Sequence, residues 1–400
     1  MGHSIAVMNT KGGVGKSTVV MALAETLSAY HGKNVLVIDS DSQTSMSSML
    51  MHMASWEQME RQNRTLVDYL STMVLGSRSA SWKDFVASGV SDVEDARSVY
   101  LIPSHMELSL FEREVSAQKR EADLRAVVRM VLDETMRMFD IVLVDCPPGL
   151  SLLTECWLRE VQFVIPPTKP DYLAVRGLAI LKKFREQYAA QGFAELLGVL
   201  INMKDGRISS EEDWHTKLMA DPENRCFQSF IPRRAYIQRA ADFDMGKRTY
   251  IAKYPGDAGQ SIRAMTKEVL TRLTERAKDL PARAPIRPVV AQTATATPQR
   301  MQAQDPRPTA PAAPASTARE AGLETAAKAA GPQSGGAQGI SIAPAAEHPP
   351  EAVLAHLRVA APLRAVPAFS PALSAVGAVL EASARPEPPG PPPSDTKPAK

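Results

Sequence analysis

The chain has 400 residues and a formal net charge of +2, from 46 basic and 44 acidic side chains. The charges nearly balance, so the chain is neither strongly basic nor strongly acidic, and its net charge does not indicate its partners. The three cysteines are odd in number, far apart and without a CxxC pair, which favours reduced thiols, and no stretch is long and apolar enough for a transmembrane helix. Without a secretory leader pattern either, the expected location is cytoplasmic.

Short apolar segments alternate with helical patterns along the first 280 residues. The near-continuous apolar runs are typical of strands covered on both faces, and the alternation predicts an α/β fold with a doubly wound, mostly parallel sheet. Residues 46–97 are predicted to be partly helical and less regular. The strands are predicted at 4–9, 34–41, 98–103, 140–148, 161–167, 196–203 and 225–232, and the helices at 17–32, 107–138, 172–192 and 261–280.

The end of the chain has a different composition. Residues 281–400 hold 22 of the 31 prolines and a single aromatic residue, Phe369. Such a segment cannot bury enough apolar surface to offset its ordering entropy. We therefore predict one folded domain at 1–280 and a disordered Ala/Pro-rich tail at 281–400, in which 351–363 is a candidate for a short helix.

The segment TKGGVGKST, residues 10–18, follows the first predicted strand and opens a helix, as a phosphate-binding loop does. Its glycines allow backbone N–H groups to converge on phosphate oxygens at the positive end of the helix dipole. Lys16 is expected to reach the β- and γ-phosphates, Ser17 to bind Mg²⁺ and Thr18 to contact the α-phosphate. The predicted nucleotide contacts are Gly12, Gly13, Val14, Gly15, Lys16, Ser17, Thr18 and Pro232.

Two predicted strands end in aspartates. NVLVID ends at Asp39, with Asp41 two residues later, and IVLVD ends at Asp145. Because the carboxyl ends of parallel strands face one crevice, these side chains are expected beside the loop. We predict Ser17, Asp39 and Asp145 as the Mg²⁺ site and Asp41 as the residue that orients an attacking water. For Asp39 the alternative is a cap for the following helix.

The loop departs from the strict phosphate-binding pattern, since Thr10 stands where a glycine is expected and a second lysine, Lys11, follows it. A lysine this close to Lys16 is repelled unless negative charge compensates for it. A bound nucleotide would supply such charge.

These motifs together resemble the ParA/MinD family of P-loop ATPases, which carry a deviant Walker A motif. The family pattern KGGxGK followed by Ser or Thr is matched from Lys11 to Ser17, and NVLVIDSDSQTS, VLVDCPPGL and the segment from FIPRR onward are similar to later family motifs. The likeness covers residues 1–280. One departure is Ser42, where ParA members usually have proline.

The resemblance implies an ATPase that uses ATP and Mg²⁺, with Lys11, Lys16 and Asp41 as its catalytic residues. It implies an ATP-bound homodimer in which Lys11 reaches the phosphates held by the other subunit. ParA-type members bind DNA nonspecifically in that state, and a ParB-like partner stimulates hydrolysis during partition of plasmid or chromosomal DNA. A cytoplasmic, nucleoid-associated location follows, without stable membrane binding.

The C-terminal third of the predicted domain is rich in basic side chains, with twelve Lys or Arg in residues 225–278. Arg263, Lys267, Arg272 and Arg276 recur at helical spacing, which favours a stripe that binds phosphates without sequence preference. The alternative is a solvated helix face paired with acidic neighbours. The predicted DNA contacts are Arg234, Lys247, Arg248, Arg263, Lys267 and Arg272.

Other functions remain open at this point. A MinD-like ATPase, or another ParA-like positioning ATPase, would act on a membrane or a protein cluster, but the proline-rich C-terminus is incompatible with a terminal membrane helix. A relative of the nitrogenase iron protein would need cysteines at cluster spacing. A bacterial tyrosine kinase would need a terminal tyrosine cluster, and no tyrosine follows Tyr254.

Overall fold

The computed structural model describes residues 2–76, 78–188 and 192–280. The predicted tail, its candidate helix at 351–363 and the end of the helix predicted at 172–192 lie wholly or partly outside these ranges. The strands are β1 (His3–Val7), β2 (Val35–Asp39), β3 (Ala87–Ser88), β4 (Val99–Ile102), β5 (Ile141–Asp145), β6 (Phe163–Ile165), β7 (Pro167–Thr168), β8 (Glu195–Leu196), β9 (Leu200–Lys204) and β10 (Ile231–Pro232).

The main sheet has the strand order β3-β4-β2-β5-β1-β6-β8, and all its pairs are parallel except β3 with β4. A smaller sheet follows the order β10-β9-β7. The chain therefore has the predicted doubly wound, mostly parallel sheet. The order also places β1 and β2 on either side of β5, so that the ends of these three strands meet at one edge.

Helices cover both faces of the main sheet, which explains why its strands are apolar throughout. The helices are α1 (Lys16–His31), α2 (Ser45–Leu50), α3 (Met53–Arg61), α4 (Leu66–Leu70), α5 (Leu108–Ala117), α6 (Glu121–Thr135), α7 (Leu152–Glu160), α8 (Tyr172–Tyr188), α9 (Ser209–Ala220), α10 (Ala235–Ala240), α11 (Tyr250–Lys253) and α12 (Gly256–Arg276). One core layer packs α1 and α12 against the sheet, and the other packs α4 to α7.

Two helix predictions differ from the structure. The single helix predicted at 107–138 is two helices, because Lys119 takes a left-handed conformation with φ 55° and the N–H of Arg120 turns back to the carbonyl of Val115. This hydrogen bond closes α5 before α6 begins. Helices α9, α10 and α11 were not predicted, since few residues of α9 are apolar and α10 and α11 are only six and four residues long.

Candidate functional site

The loop between β1 and α1 has the backbone that its glycines were expected to permit. Gly13 and Gly15 have φ of 72° and 81°, in the left-handed region that glycine adopts without strain. A Cβ on Gly15 would also lie 2.5 Å from the side-chain nitrogen of Asn202. Gly15 is therefore required both by its backbone and by the strand behind it, and α1 starts at the next residue.

Asn202, in the middle of β9, supports the loop from behind. Its side-chain amide donates a hydrogen bond of 2.7 Å to the carbonyl of Val14, and its oxygen accepts one of 2.9 Å from the N–H of Met203. Met203 itself has a φ of 56°, which is uncommon for a residue with a side chain. This contact could not be predicted from the sequence, because nothing in the spacing of the motifs links β9 to the loop.

The three predicted aspartates come together beside the loop. In the register of the sheet Asp145 lies next to Val7, where the loop begins, and next to Asp39 on the other side. Asp39, Asp41 and Asp145 are all buried. Three carboxylates buried in one place are unfavourable unless hydrogen bonds or positive charges compensate for them.

Asp145 has the least compensation of the three. In the part of the chain that the structure describes, neither of its carboxylate oxygens has a hydrogen-bond partner. Burial, followed by the nearby Asp39, raises the pKa of Asp145 well above its usual range, while the neighbouring Ser17 hydroxyl and Lys16 ammonium act in the opposite direction. A buried carboxylate without partners, next to a hydroxyl, fits a Mg²⁺ ligand pair, because this ion takes oxygen ligands and few of them from protein.

Lys16 points into the same group of acids. It is 7 % exposed, and burial lowers its pKa, although Asp145 and then Asp41 favour its charged form. A buried ammonium at the start of α1 adds to the positive end of the helix dipole. The site therefore concentrates positive charge where phosphate groups would lie, with acids close by to hold a cation.

Asp39 has more protein contacts than Asp145. One of its oxygens accepts hydrogen bonds from the N–H and the hydroxyl of Ser47, at 2.8 and 2.6 Å, and the other accepts one from the N–H of Asp41. Burial is the main cause that raises the pKa of Asp39 to about 7. These contacts give Asp39 the helix-capping role, and its predicted role as a metal ligand stays a prediction.

Asp41 lies where the chain leaves β2 for α2. Its Oδ1 accepts a hydrogen bond of 2.9 Å from the N–H of Gln43, and its carbonyl accepts one from the N–H of Thr44. The turn thus holds the backbone of Asp41 in place beside Asp39. Its carboxylate is close enough to Lys16 to act on the pKa of that residue.

Lys11 is paired with an acidic residue of its own chain, and its predicted contact with a nucleotide stays a prediction. Its Nζ lies 2.9 Å from both carboxylate oxygens of Asp171. Asp171 also accepts the N–H of Ala174 at 2.8 Å and so caps the start of α8. Although partial burial acts to raise it, the Ala174 N–H and then the Lys11 ammonium hold the pKa of Asp171 below its usual value.

The start of the loop is fixed on α8 by further contacts. The hydroxyl of Thr10 donates to the carbonyl of Gly177 at 3.1 Å, and a Cβ on Gly177 would lie 2.7 Å from both Asn9 and Thr10 side-chain oxygens. The side chain of Asn9 donates to the carbonyl of Pro167 at 2.8 Å. The segment that carries Lys11 therefore moves together with the start of α8 or must break these contacts.

Pro232 lies at the end of β10. A cavity of about 210 Å³ contains Gly13, Thr18, Asn202 and Pro232 in its lining. The structure thus places the predicted contact Pro232 next to the loop, although it lies more than two hundred residues away in the sequence.

The predicted DNA contacts fall into two groups. Several have partners inside the protein. Arg272 donates to three backbone carbonyls and to Glu268, and the absence of a side chain on Gly198 makes room for its guanidinium. Arg248 pairs with buried Asp92 at 2.8 Å, and Arg234 pairs with Asp257. Arg272 and Arg248 stabilise the packing of the C-terminal third, whereas Arg234 and Asp257 form an exposed ion pair.

The second group is closer to solvent. Lys247 and Lys267 are exposed, and Arg263 is half-buried, with its guanidinium over the rings of Tyr30 and Tyr250. Lys267 has no acidic partner among the described residues. The number of basic residues in the sequence therefore overestimates the positive charge that this surface offers to DNA.

Across the described residues, no helix has the length and apolar character needed to span a membrane.

A loop that links the first strand to the first helix, with aspartates at the ends of the neighbouring parallel strands, defines a P-loop nucleotide site on a doubly wound sheet. Known proteins support this class. A family model described as an AAA domain matches residues 2–200. The chromosome-partitioning ATPase Soj of Treponema pallidum (strain Nichols) is 28 % identical over 69 % of this chain and 100 % of its own length.

Two further comparisons agree. The chromosome partitioning protein ParA of Caulobacter vibrioides (strain NA1000 / CB15N) is 27 % identical over 68 % of this chain and 95 % of its own length. The structure of a plasmid partition protein from Borrelia burgdorferi B31 bound to AMPPNP, at 20 % identity, matches with a TM-score of 0.53 over 68 % of this chain and 100 % of that chain, which shows the shared fold. Together these comparisons support the ParA/MinD family of P-loop ATPases for this chain.

Proposed function

We propose that this protein hydrolyses ATP with Mg²⁺, forms an ATP-bound homodimer that binds DNA nonspecifically, and acts with a ParB-like partner to partition plasmid or chromosomal DNA. The observation that carries the proposal is the grouping of Lys16, Ser17 and the unpartnered Asp145 at the phosphate loop. Relatives named as partitioning ATPases support the biological role. A cytoplasmic, nucleoid-associated location is part of this proposal.

Each residue of the site has a role in this chemistry. The loop N–H groups and Lys16 bind the β- and γ-phosphates, and Ser17 with Asp145 would hold Mg²⁺, which supplies charge neutralisation on the phosphate oxygens. Asp41 orients the water that attacks the γ-phosphorus, so that the bond to the β-phosphate oxygen breaks. Asn202 keeps the loop in its binding shape.

The direct test is phosphate release from ATP by the purified full chain. We expect slow release that needs Mg²⁺, stops with EDTA and rises when double-stranded DNA is added. Release at the same rate with EDTA would contradict the predicted metal site, and no release under any of these conditions would contradict the enzymatic proposal.

Asp41→Ala is expected to slow hydrolysis about 100-fold or more, because the water loses the group that orients it. ATP affinity should change by no more than about threefold, since the phosphate contacts of Lys16 and the loop are retained. Single-turnover hydrolysis and equilibrium binding of a fluorescent ATP analogue measure the two effects separately. Asp84→Ala, in the short 3-10 helix Trp82–Phe85 and contacted by Arg64 through its carbonyl, serves as the control. Hydrolysis at the wild-type rate would refute the role of Asp41.

The exposed lysines among the predicted DNA contacts, Lys247 and Lys267, are expected to bind the DNA phosphates. Lys267→Glu should weaken binding to nonspecific duplex about tenfold at moderate salt and reduce its salt dependence by roughly one phosphate contact. Arg113→Glu makes the same change in charge on α5, which packs on the opposite face of the sheet. Fluorescence anisotropy with ATP present measures both variants. Equal weakening by the two would indicate a global charge effect and contradict a local contact.

A further inference from the structure

A buried tryptophan reaches the segment that carries the acidic residues. Trp157, on α7, is 0 % exposed, and its indole N–H donates a hydrogen bond of 2.8 Å to the hydroxyl of Ser40. Ser40 is itself 2 % exposed and lies between Asp39 and Asp41. No motif in the sequence connects the two residues, which are 117 positions apart.

Ser40 is held from two directions. Its N–H donates to the carbonyl of Asp145 at 3.0 Å, which ties it to β5, and its side chain accepts from Trp157, which ties it to α7. Asp41 follows directly, and its own N–H turns back to Asp39. The backbone that sets the direction of the Asp41 side chain is therefore fixed by contacts to both neighbouring elements.

The helix that carries Trp157 is itself anchored at its start. Ser151 caps α7, and the carboxylate of Glu112 accepts hydrogen bonds from the Ser151 hydroxyl at 2.7 Å and from the N–H of Leu153 at 3.0 Å. This start follows the loop after Asp145 by only a few residues. Trp157 thus projects from a rigid element, which makes its hydrogen bond a suitable reference for the position of Ser40.

We propose that Trp157 is a positioning residue for hydrolysis, and that it acts through Ser40 to hold Asp41 in the orientation needed for the attacking water. The proposal rests on the proposed function, in which Asp41 orients that water. The indole is fully buried, so its proposed effect on the nucleotide site is indirect. Its N–H donates to the buried hydroxyl of Ser40. Loss of this hydrogen bond leaves the hydroxyl without its partner, which favours a different conformation of the turn.

The other explanation is that Trp157 only fills space in the core, where it packs among apolar residues. Trp157→Phe separates the two, because phenylalanine keeps an aromatic ring but lacks the N–H. Trp82→Phe is the matched control. Trp82 is 3 % exposed, and its indole N–H donates a hydrogen bond of 2.9 Å to Glu134, outside the nucleotide site.

We expect Trp157→Phe to lower kcat about five- to tenfold, as loss of one buried hydrogen bond allows, with the KM for ATP changed by less than about twofold. Trp82→Phe should leave both parameters within about twofold of wild type, even if it lowers thermal stability as much as Trp157→Phe does. Equal kcat values for the wild type and a folded Trp157→Phe would overturn the proposal while leaving the proposed function intact. Absence of hydrolysis by the wild type would instead remove the proposed function, and the positioning role with it.

Ser40→Ala provides a second route that changes little of the core volume. It should reduce kcat to a similar degree. The double variant Ser40→Ala/Trp157→Phe should be no slower than the slower single variant, because each change removes the same hydrogen bond between Trp157 and Ser40. Multiplication of the two effects in the double variant would show that Trp157 acts by a path that does not include Ser40, and would overturn the proposal. If Trp157→Phe does not fold, a wild-type kcat for Ser40→Ala overturns the proposal in its place.

Discussion

Lys16→Ala is expected to raise the Kd for ATP about 100-fold, the largest effect on binding that the site predicts. Two causes act in the same direction. The charged hydrogen bonds from Lys16 to the phosphates are lost, and the buried carboxylates of Asp145 and Asp41 then face the phosphates without the ammonium that stands beside them. Titration with a fluorescent ATP analogue in the presence of Mg²⁺ measures the change.

The control for this variant is Lys83→Ala, which removes an exposed lysine outside the site. Far-UV circular dichroism shows whether each variant is folded, since removal of Lys16 also leaves carboxylates buried with less compensation. A folded Lys16→Ala protein with wild-type ATP affinity would contradict the assignment of the phosphate site.

The parts of the site that could be predicted from sequence are those set by local backbone chemistry. The phosphate loop follows from glycines between a strand and a helix, and the grouping of Asp39 and Asp145 follows from the ends of parallel strands. The fold class was accessible for the same reason, because the apolar runs show which strands are covered on both faces. These features need no knowledge of which distant residues meet.

The contacts that hold the site in shape could not be predicted in this way. Asn202 behind the loop and Trp157 above Ser40 join segments more than a hundred residues apart, and their partners are single polar atoms. Hydropathy and spacing contain no information about such pairs. They depend on how distant strands and helices pack together, which is settled only when the whole core is assembled.

The basic C-terminal third shows a different limit. A count of Lys and Arg treats every side chain as free, whereas Lys253 is fully buried between Glu25 and Asp92, at 2.7 and 2.6 Å. The hydroxyl of Tyr254 donates to the same glutamate. This buried network joins α11 to α1, so part of the positive charge in this region serves the packing of the helix behind the phosphate loop.

Lys11→Ala tests whether the second lysine of the loop has a role in assembly. We expect ATP affinity within about threefold of wild type, because Lys16 and the loop N–H groups remain, and loss of the ATP-dependent dimer, because the phosphates of the second subunit lose a charged partner. Sedimentation velocity with ATP and Mg²⁺, in an Asp41→Ala background that slows hydrolysis, measures the dimer. An intact ATP-dependent dimer would refute the proposed contact across the interface.

The pairing of Lys11 with Asp171 adds a second, opposite expectation. If Lys11 must leave Asp171 to reach the other subunit, then Asp171→Asn should tighten ATP-dependent dimerisation about two- to fivefold, which is the range for a partly exposed ion pair. Asparagine caps a helix about as well as aspartate, so the start of α8 is preserved. Weaker dimerisation in Asp171→Asn would mean that Asp171 orients Lys11 for the partner. In that case the ion pair prepares the dimer contact and does not compete with it.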